Sequence, residues 1–405
     1  MTPVLLLLIA SLSPEATPPA PGANPPVVTE QVFLDTLGPE HAAWRSLEGG
    51  VADAEAEVQR AGTLPNPTLD FAREALDGLP GENTWLLTWR PPLDGRRGPT
   101  RAAAEAGARA ARADLEGRRL RVRGELRRTY AEWALAATRL ALVESHTERI
   151  DRAAEVLRRR AETGEASGLA ARRIALSAEG AHAAHARAEA EHARAFAAVR
   201  GLWPEAPGGV LPEMPPFAAD PTVTDVSRRP DIVALEEEVE QADLQAEAAG
   251  RFWGFPELGL GWQTLRGSNA KVDGPVFTAS WSIPVFNRDQ GRRARAEGRA
   301  RVLAARHDLV RTRADAEMEG ARGAWSALRA AALRAAEAAD GGQAVVRGTV
   351  ASFEAGEADV TDLNDALRAA FNADVLALEL RGEALAAERA FEAALGRPLS
   401  TGGLR

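Results

Sequence analysis

The sequence predicts a mainly α-helical chain with a small β part, built from two copies of one helix–β-hairpin–helix unit. Three observations lead there: two long blocks without proline, matching residues that recur in the same order in both halves, and short alternating segments ahead of each block.

Proline breaks helix interiors, so its placement marks where long helices can run. None of the 25 prolines falls between Thr100 and Trp203, or between Val285 and Arg397. Both blocks are rich in Ala, Arg, Glu and Leu, which favour helix. In the first, Leu115, Val122, Leu126, Tyr130, Trp133, Ala137 and Leu140 form one apolar stripe at helical spacing. Each block has one interior break, at Thr163-Gly164-Glu165-Ala166-Ser167-Gly168 and at Ala355-Gly356-Glu357-Ala358-Asp359. Glycine ends a helix cheaply and Ser or Asp caps the next, so each block reads as a hairpin of one long and one shorter helix. A helix from Pro99 to Glu162 would be roughly 95 Å long, too long a rod for one globular domain to bury.

The halves correspond residue by residue. Leu47-Glu48 and Ala61-Gly62 recur as Leu235-Glu236 and Ala249-Gly250. Trp89, Pro92, Arg96 and Glu105 recur 192 positions later as Trp281, Pro284, Arg288 and Glu297. Gly164-Glu165-Ala166 recurs as Gly356-Glu357-Ala358, and Ala195-Phe196 with Gly201 recurs as Ala390-Phe391 with Gly396. Constant order with little drift is the signature of an internal duplication.

The β part lies between the first helix of each half and the long hairpin. Phe277, Ala279, Trp281 and Ile283 alternate with Thr278, Ser280 and Ser282. Leu258, Leu260 and Trp262 alternate with Glu257, Gly259, Gly261 and Gln263, and Arg266 to Gly274 reads as the turn between. In the first half Leu69 and Phe71 mark one strand, Trp85, Leu87 and Trp89 the other, and Asp77 to Asn83 the loop. Five of the nine tryptophans (Trp85, Trp89, Trp253, Trp262, Trp281) lie in or beside these hairpins. Tryptophan gathers at the rims of membrane barrels, and it also fills small soluble cores; the hairpins alone admit both readings. Lipid decides between architectures. Four strands cannot close a barrel and open edges are not tolerated in a bilayer, so a spanning sheet needs an oligomer. Three chains would supply twelve strands, an even number within the barrel range.

Composition narrows the function classes. The chain has 405 residues, is 45% hydrophobic and carries a net charge of −9, which argues against nucleic acid as a partner. It has no cysteine, so disulfides, thiolate metal sites and a lipidated cysteine drop out. No window of 18 uncharged apolar residues exists, which leaves only a β-type membrane span. Residues 1–26 read as a secretory signal, with an apolar run from Val4 to Leu12, followed by a Pro-rich linker. No Gly-rich phosphate loop and no supported Ser/His/Asp set is present, so neither an enzyme nor a cofactor is expected.

These features in sequence order make the chain resemble the TolC-like outer-membrane efflux family, over Val28 to Leu399. The resemblance rests on Asn66-Pro67 before the first strand, Arg228-Arg229-Pro230-Asp231-Ile232 opening the second half, Ile283-Pro284-Val285-Phe286-Asn287-Arg288 with Gly291, and the two Gly-Glu tips. The tips and the strand exit look most like the heavy-metal branch, of cobalt-zinc-cadmium type, which serves resistance-nodulation-division pumps. The resemblance implies a homotrimer in the bacterial outer membrane. A twelve-strand β-barrel, four strands per chain, would continue into a long α-helical barrel projecting into the periplasm. The duct would pass substrates from a periplasmic membrane-fusion adaptor and an inner-membrane pump to the cell exterior. The chain would divide into repeats at 27–202 and 229–396 (strands about 67–91 and 256–284), an equatorial linker at 203–228 and a tail at 397–405. A periplasmic adaptor is the rival class, but it would carry one hairpin in β-rich domains rather than two in a duplicated chain. A helical scaffold would lack the export signal and the strands.

The same resemblance implies roles for named residues. Asp362 and Asp365, with Asp359 beside them, would form the periplasmic gate, since rings of carboxylates favour cations. The plainer reading is acids at a helix N-terminus, favoured by the dipole. Gly164, Glu165, Gly356 and Glu357 would be the adaptor contacts, and Trp85, Trp89, Trp262 and Trp281 the membrane-interface aromatics. His182, His185, Glu189 and His192 share a helix face at metal-ligand spacing, but polar residues on a solvated or packed face are the better reading, and no metal site is assigned. Arg118, Arg119, Arg121, Arg123, Arg127 and Arg128 read as a solvated basic face.

Overall fold

A computed structural model describes residues 26–38, 40–74, 81–221, 224–251, 254–266 and 270–399. The expected signal and most of the linker, Trp253, and parts of both distal hairpin loops lie outside the described residues. In chain order the elements are β1 (Val27–Val28), α1 (Glu30–Thr36), α2 (Ala42–Arg45), α3 (Gly49–Gly62), β2 (Thr68–Glu74), β3 (Gly81–Trp89), α4 (Arg97–Glu162), α5 (Gly168–Leu202), β4 (Leu211–Pro212), α6 (Pro230–Gly250), β5 (Glu257–Arg266), β6 (Lys271–Ser280), α7 (Gln290–Ala355) and α8 (Val360–Leu395).

The duplication is visible in the elements themselves. Helix, hairpin, long helix and shorter helix follow one another twice, as α3-β2-β3-α4-α5 and α6-β5-β6-α7-α8. Both long helices have 66 residues, about 99 Å at the helical rise, and the shorter partners have 35 and 36. α5 folds back along α4 and α8 along α7, while α6 bridges the two halves by packing on both α4 and α7. The core is a series of thin layers along the rod. Near the tips it holds Ile150, Leu157, Ile174, Phe353, Leu363 and Leu367. Midway along α4 it holds Phe33, Tyr130, Trp133 and Val199. The repeat extends to packing: Trp133 meets Phe196 at 5.5 Å between ring centres, and their counterparts Trp325 and Phe391 meet at 5.3 Å. Gly201 and Gly396 differ, since Gly201 sits inside α5 whereas Gly396, at φ +72, ends α8.

The four strands form one antiparallel sheet in the order β2-β3-β5-β6, so the central pairing joins the two repeats. The ladder between β5 and β6 runs from the pair Glu257 and Ser280 to the pair Arg266 and Lys271. It is shorter at one end and longer at the other than the alternation suggests. Trp281 and Ile283 lie beyond the strand, because Pro256 precedes Glu257 and offers no N–H to extend the ladder. Lys271 to Gly274, expected in the turn, belong to β6, where they pair with Arg266 to Gln263. Gly81 to Asn83 likewise open β3. Among the described residues no helix is long and apolar enough to cross a membrane.

Candidate functional site

The sheet separates its side chains by chemistry. Directly paired residues share a face, so the register aligns Leu69, Leu87, Leu260 and Phe277 in one row. The next row is Phe71, Trp85, Trp262 and Pro275, and the row nearer the helices is Trp89, Leu258 and Ala279. These large apolar side chains are exposed, Leu69, Phe71, Trp85, Leu87, Trp89, Leu258, Leu260, Trp262 and Phe277 among them. Beyond the outer aromatic row lies a polar one, Arg73, Asn83, Thr264 and Asp273. The opposite face carries Asp70, Glu74, Glu82, Gln263 and several threonines beside Leu86, Leu265, Val272 and Val276, with Gly259 and Gly261 at the crowded points. A side chain at Gly261 would run into the Trp85 carbonyl, and one at Gly259 into Thr278. An apolar outside over a more polar, glycine-relieved inside is the pattern of a barrel strand.

The four tryptophans sit at two levels. Trp85 and Trp262 oppose each other in the outer row, where the Phe71 ring lies 4.5 Å from Trp85. Trp89 and Trp281 sit at the helix end, each with its indole N–H donating to a loop carbonyl, of Pro65 at 3.0 Å and Gly254 at 2.9 Å. An apolar ring whose polar edge is satisfied can sit at a lipid–water boundary or deeper among acyl chains.

At the far end the two tips are built alike. Gly164 and Gly356 adopt φ +81 and +80, and the N–H groups of Glu165 and Glu357 reach back to Arg160 and Ser352 carbonyls at 2.8 Å. Glycine is required by the left-handed turn itself. The next helices are capped by Ser167, accepting from the Leu169 N–H at 3.1 Å, and by Asp359.

The three aspartates do not have one role. Asp359 accepts from the Thr361 and Asp362 N–H groups at 2.6 and 2.9 Å, and Asp362 accepts from the Asp359 N–H at 3.1 Å. This reciprocal cap accounts for both carboxylates locally. The Asp362 N–H holds the Asp359 carboxyl below the ordinary carboxylate range. Asp365 lies just within the first turns of α8, exposed, and makes no hydrogen bond or ion pair among the described residues.

The histidine face does not gather a ligand set. His182 pairs with Asp151 at 3.1 Å and His192 stacks on Phe196, and among the described residues no group of three or more potential ligands could hold a metal. Most of the arginine cluster is matched by acids, Arg118 by Asp114, Arg119 by Glu116 and Arg128 by Glu132. Arg127 is an exception to the solvated face expected for it: it is buried, because it lies three residues before Tyr130 and turns into the same layer. There it meets Glu392, Glu30 at 3.1 Å and Glu388 at 3.5 Å, and Arg389 reaches Glu30 at 3.3 Å. The partners come from segments far apart in sequence, so only the position of Arg127 beside an apolar stripe hinted at the cluster. Burial drives the Glu388 carboxyl up and the Arg389 guanidinium down. A second polar chain also went unread: Arg149 donates to Gln343 at 2.7 Å, Gln343 to Asp374 at 2.6 Å, and His146 stacks on Phe371 at 4.1 Å.

A sheet with a lipid-type outer face, carried on two helical hairpins about 99 Å long, defines a subunit of an outer-membrane duct. The family model "Outer membrane efflux protein" matches residues 226–397, which span the second helix–hairpin–helix unit. Over 363 residues the chain is 24% identical to the cobalt-zinc-cadmium resistance protein CzcC of Cupriavidus metallidurans, spanning 85% of this chain and 84% of that one. It is 28% identical to the nickel-cobalt-cadmium resistance protein NccC of Alcaligenes xylosoxydans over 284 residues, 67% of this chain and 64% of that one. Its fold is similar to that of CusC, with a TM-score of 0.73 at 17% identity over 91% of this chain and 92% of that one. It is also similar to the open outer-membrane channel MtrE of Neisseria gonorrhoeae, with a TM-score of 0.71 at 19% identity over 93% and 91%. The chain is thus the outer-membrane channel component of a tripartite efflux system, and such channels are trimers working with an adaptor and an inner-membrane pump.

Proposed function

We propose that this channel releases divalent metal cations received from a pump of the resistance-nodulation-division type through a membrane-fusion adaptor. The observation that carries the reading is Asp365, an exposed carboxylate near the second tip without a partner among the described residues. Three copies would place three such charges around one axis, with Asp362 behind them, and a carboxylate ring attracts cations and resists tight closure. The metal-resistance relatives agree with this cargo. The tips Gly164-Glu165 and Gly356-Glu357 are the adaptor contacts in this proposal, because they are the exposed ends of both hairpins. Asp365→Asn tests the gate, since Asp365 takes no part in the helix cap. The variant trimer in a planar bilayer is expected to lose cation over anion preference while keeping its heat resistance. Unchanged selectivity would remove Asp365 from the pathway. Cells carrying the variant should then be compared for zinc, cobalt and cadmium tolerance.

A further inference from the structure

The lipid-facing rows of the sheet are too short for the membrane they must cross. From the row of Trp89, Leu258 and Ala279 to that of Phe71, Trp85, Trp262 and Pro275 is four residues. At about 3.3 Å per residue and a strand tilt near 40°, this spans roughly 10 Å along the membrane normal. A barrel's apolar band is about 25 Å tall. The outer boundary is fixed by the polar row of Arg73, Asn83, Thr264 and Asp273. The missing height must therefore lie on the helix side, below the last ladder pair.

The segment after β6 supplies it. Pro275, Phe277 and Ala279 set the outward parity of β6, and Trp281 and Ile283 keep the same spacing before the chain turns, the Val285 N–H donating to the Ile283 carbonyl at 2.9 Å. Ile283 is 60% exposed, Val285 56% and the adjacent Phe286 91%; Leu93, at the corresponding exit of β3, is 67% exposed. Ser282 and Pro284, with Trp281, line a groove of about 420 Å³ beside Arg96 and Asp289. Eight residues separate Pro275 from Ile283, which at the same rise and tilt is about 20 Å. Below them come the exposed Arg288, Arg292 and Arg293.

We infer that Ile283, Val285 and Phe286, with Leu93, form an apolar collar immersed in the acyl chains of the periplasmic leaflet, so that the bilayer ends at Arg288 rather than at the last strand pair. The occupant is phospholipid, because the patch adjoins the lipid-facing rows and supplies most of the missing height, and the arginines below match lipid phosphate. The collar rests on the sheet being the membrane span, and the test separates the two. The chain has no cysteine, so Ile283→Cys, Phe286→Cys, Phe277→Cys and Glu357→Cys each provide a unique site for a nitroxide label. Labelled, heat-resistant trimers in phospholipid vesicles are probed for relaxation by oxygen, which enriches in acyl chains, and by a water-soluble nickel chelate. Labels at 283 and 286 are expected to match Phe277→Cys, open to oxygen and shielded from nickel, and to differ from Glu357→Cys. Nickel access at 283 and 286 would overturn the collar, and shielding from both probes would overturn it in favour of a second copy of the chain. Nickel access at 277 as well would overturn the spanning sheet along with it.

Discussion

Single side chains in this duct are set mostly by backbone demands. At φ +80, Gly356 occupies a conformation that costs an L-residue about 1–2 kcal/mol, so Gly356→Val should loosen the second tip by that amount. If the tip is the adaptor contact, capture of the adaptor by intact variant trimers should weaken as well, read by surface plasmon resonance. The Asp359 carboxyl is held low by the helix N–H groups, so its cap is complete above the ordinary carboxylate range and is lost as pH falls through the lowered value. Asp359→Ala should raise amide exchange at the start of α8, whereas Asp365→Asn should leave it unchanged. His146 works in the opposite sense to a paired histidine. Burial, then Arg149, lowers it to about 4, so its packing on Phe371 is fully stable above its ordinary value of 6.5 and weakens as pH falls toward 4. Melting of the trimer should therefore drop more steeply over that window in the parent than in His146→Phe.

At the scale of elements, the helices were the legible part of the sequence and the strand ends were not. Proline placement and the two Gly-Glu breaks locate α4, α5, α7 and α8, because helix boundaries are written in local chemistry. Strand ends depend on the partner strand. Trp281 keeps the alternation of β6 yet lies beyond the last ladder pair, Glu257 with Ser280, and Lys271 looks like loop until Arg266 is placed opposite it. The candidate site divided in the same way. The tips and the tryptophans could be picked out one residue at a time, but the cluster around Arg127 joins residues from 30 to 392 and has no local signature. The glycines of β5 carry an element-scale prediction. Gly261 lies against the Trp85 backbone, so Gly261→Val would force the central strands apart at about 1–3 kcal/mol or more. Because β3 and β5 join the two repeats, the expected outcome is a reduced yield of heat-resistant trimers on semi-native gels, with Gly274→Val, whose side chain would meet open space, as the control.

For the whole molecule, the problem is to hold two duplicated arms in register without a globular core. The sheet does this at the membrane, α6 does it along the rods, and the buried charges do it midway. Arg127 of α4 faces Glu30 at the start of α1 and Glu388 and Glu392 of α8, and Glu388 also accepts the Ala218 N–H at 2.8 Å. One cluster thus ties the N-terminal segment, both hairpins and the segment between the repeats. Its charges do not balance, since Arg127 and Arg389 face three carboxylates. Removing Arg127 leaves buried acids uncompensated, and Arg127→Met should cost about 3–5 kcal/mol. Glu388 should behave differently. Its folded pKa is raised, chiefly by burial, so its contribution is favourable below the ordinary carboxylate value and is lost as pH rises through the raised one. At neutral pH the duct therefore carries a desolvation cost at this side chain. Glu388→Gln keeps an acceptor for Ala218 and removes that cost, so the variant trimer should melt at or above the parent temperature at pH 7.5. The advantage should vanish near pH 4, where the parent carboxyl is protonated in both states. A variant that melts well below the parent at pH 7.5 would mean that the Glu388 charge is needed by Arg127, and that the cluster holds the arms through that ion pair rather than in spite of its burial.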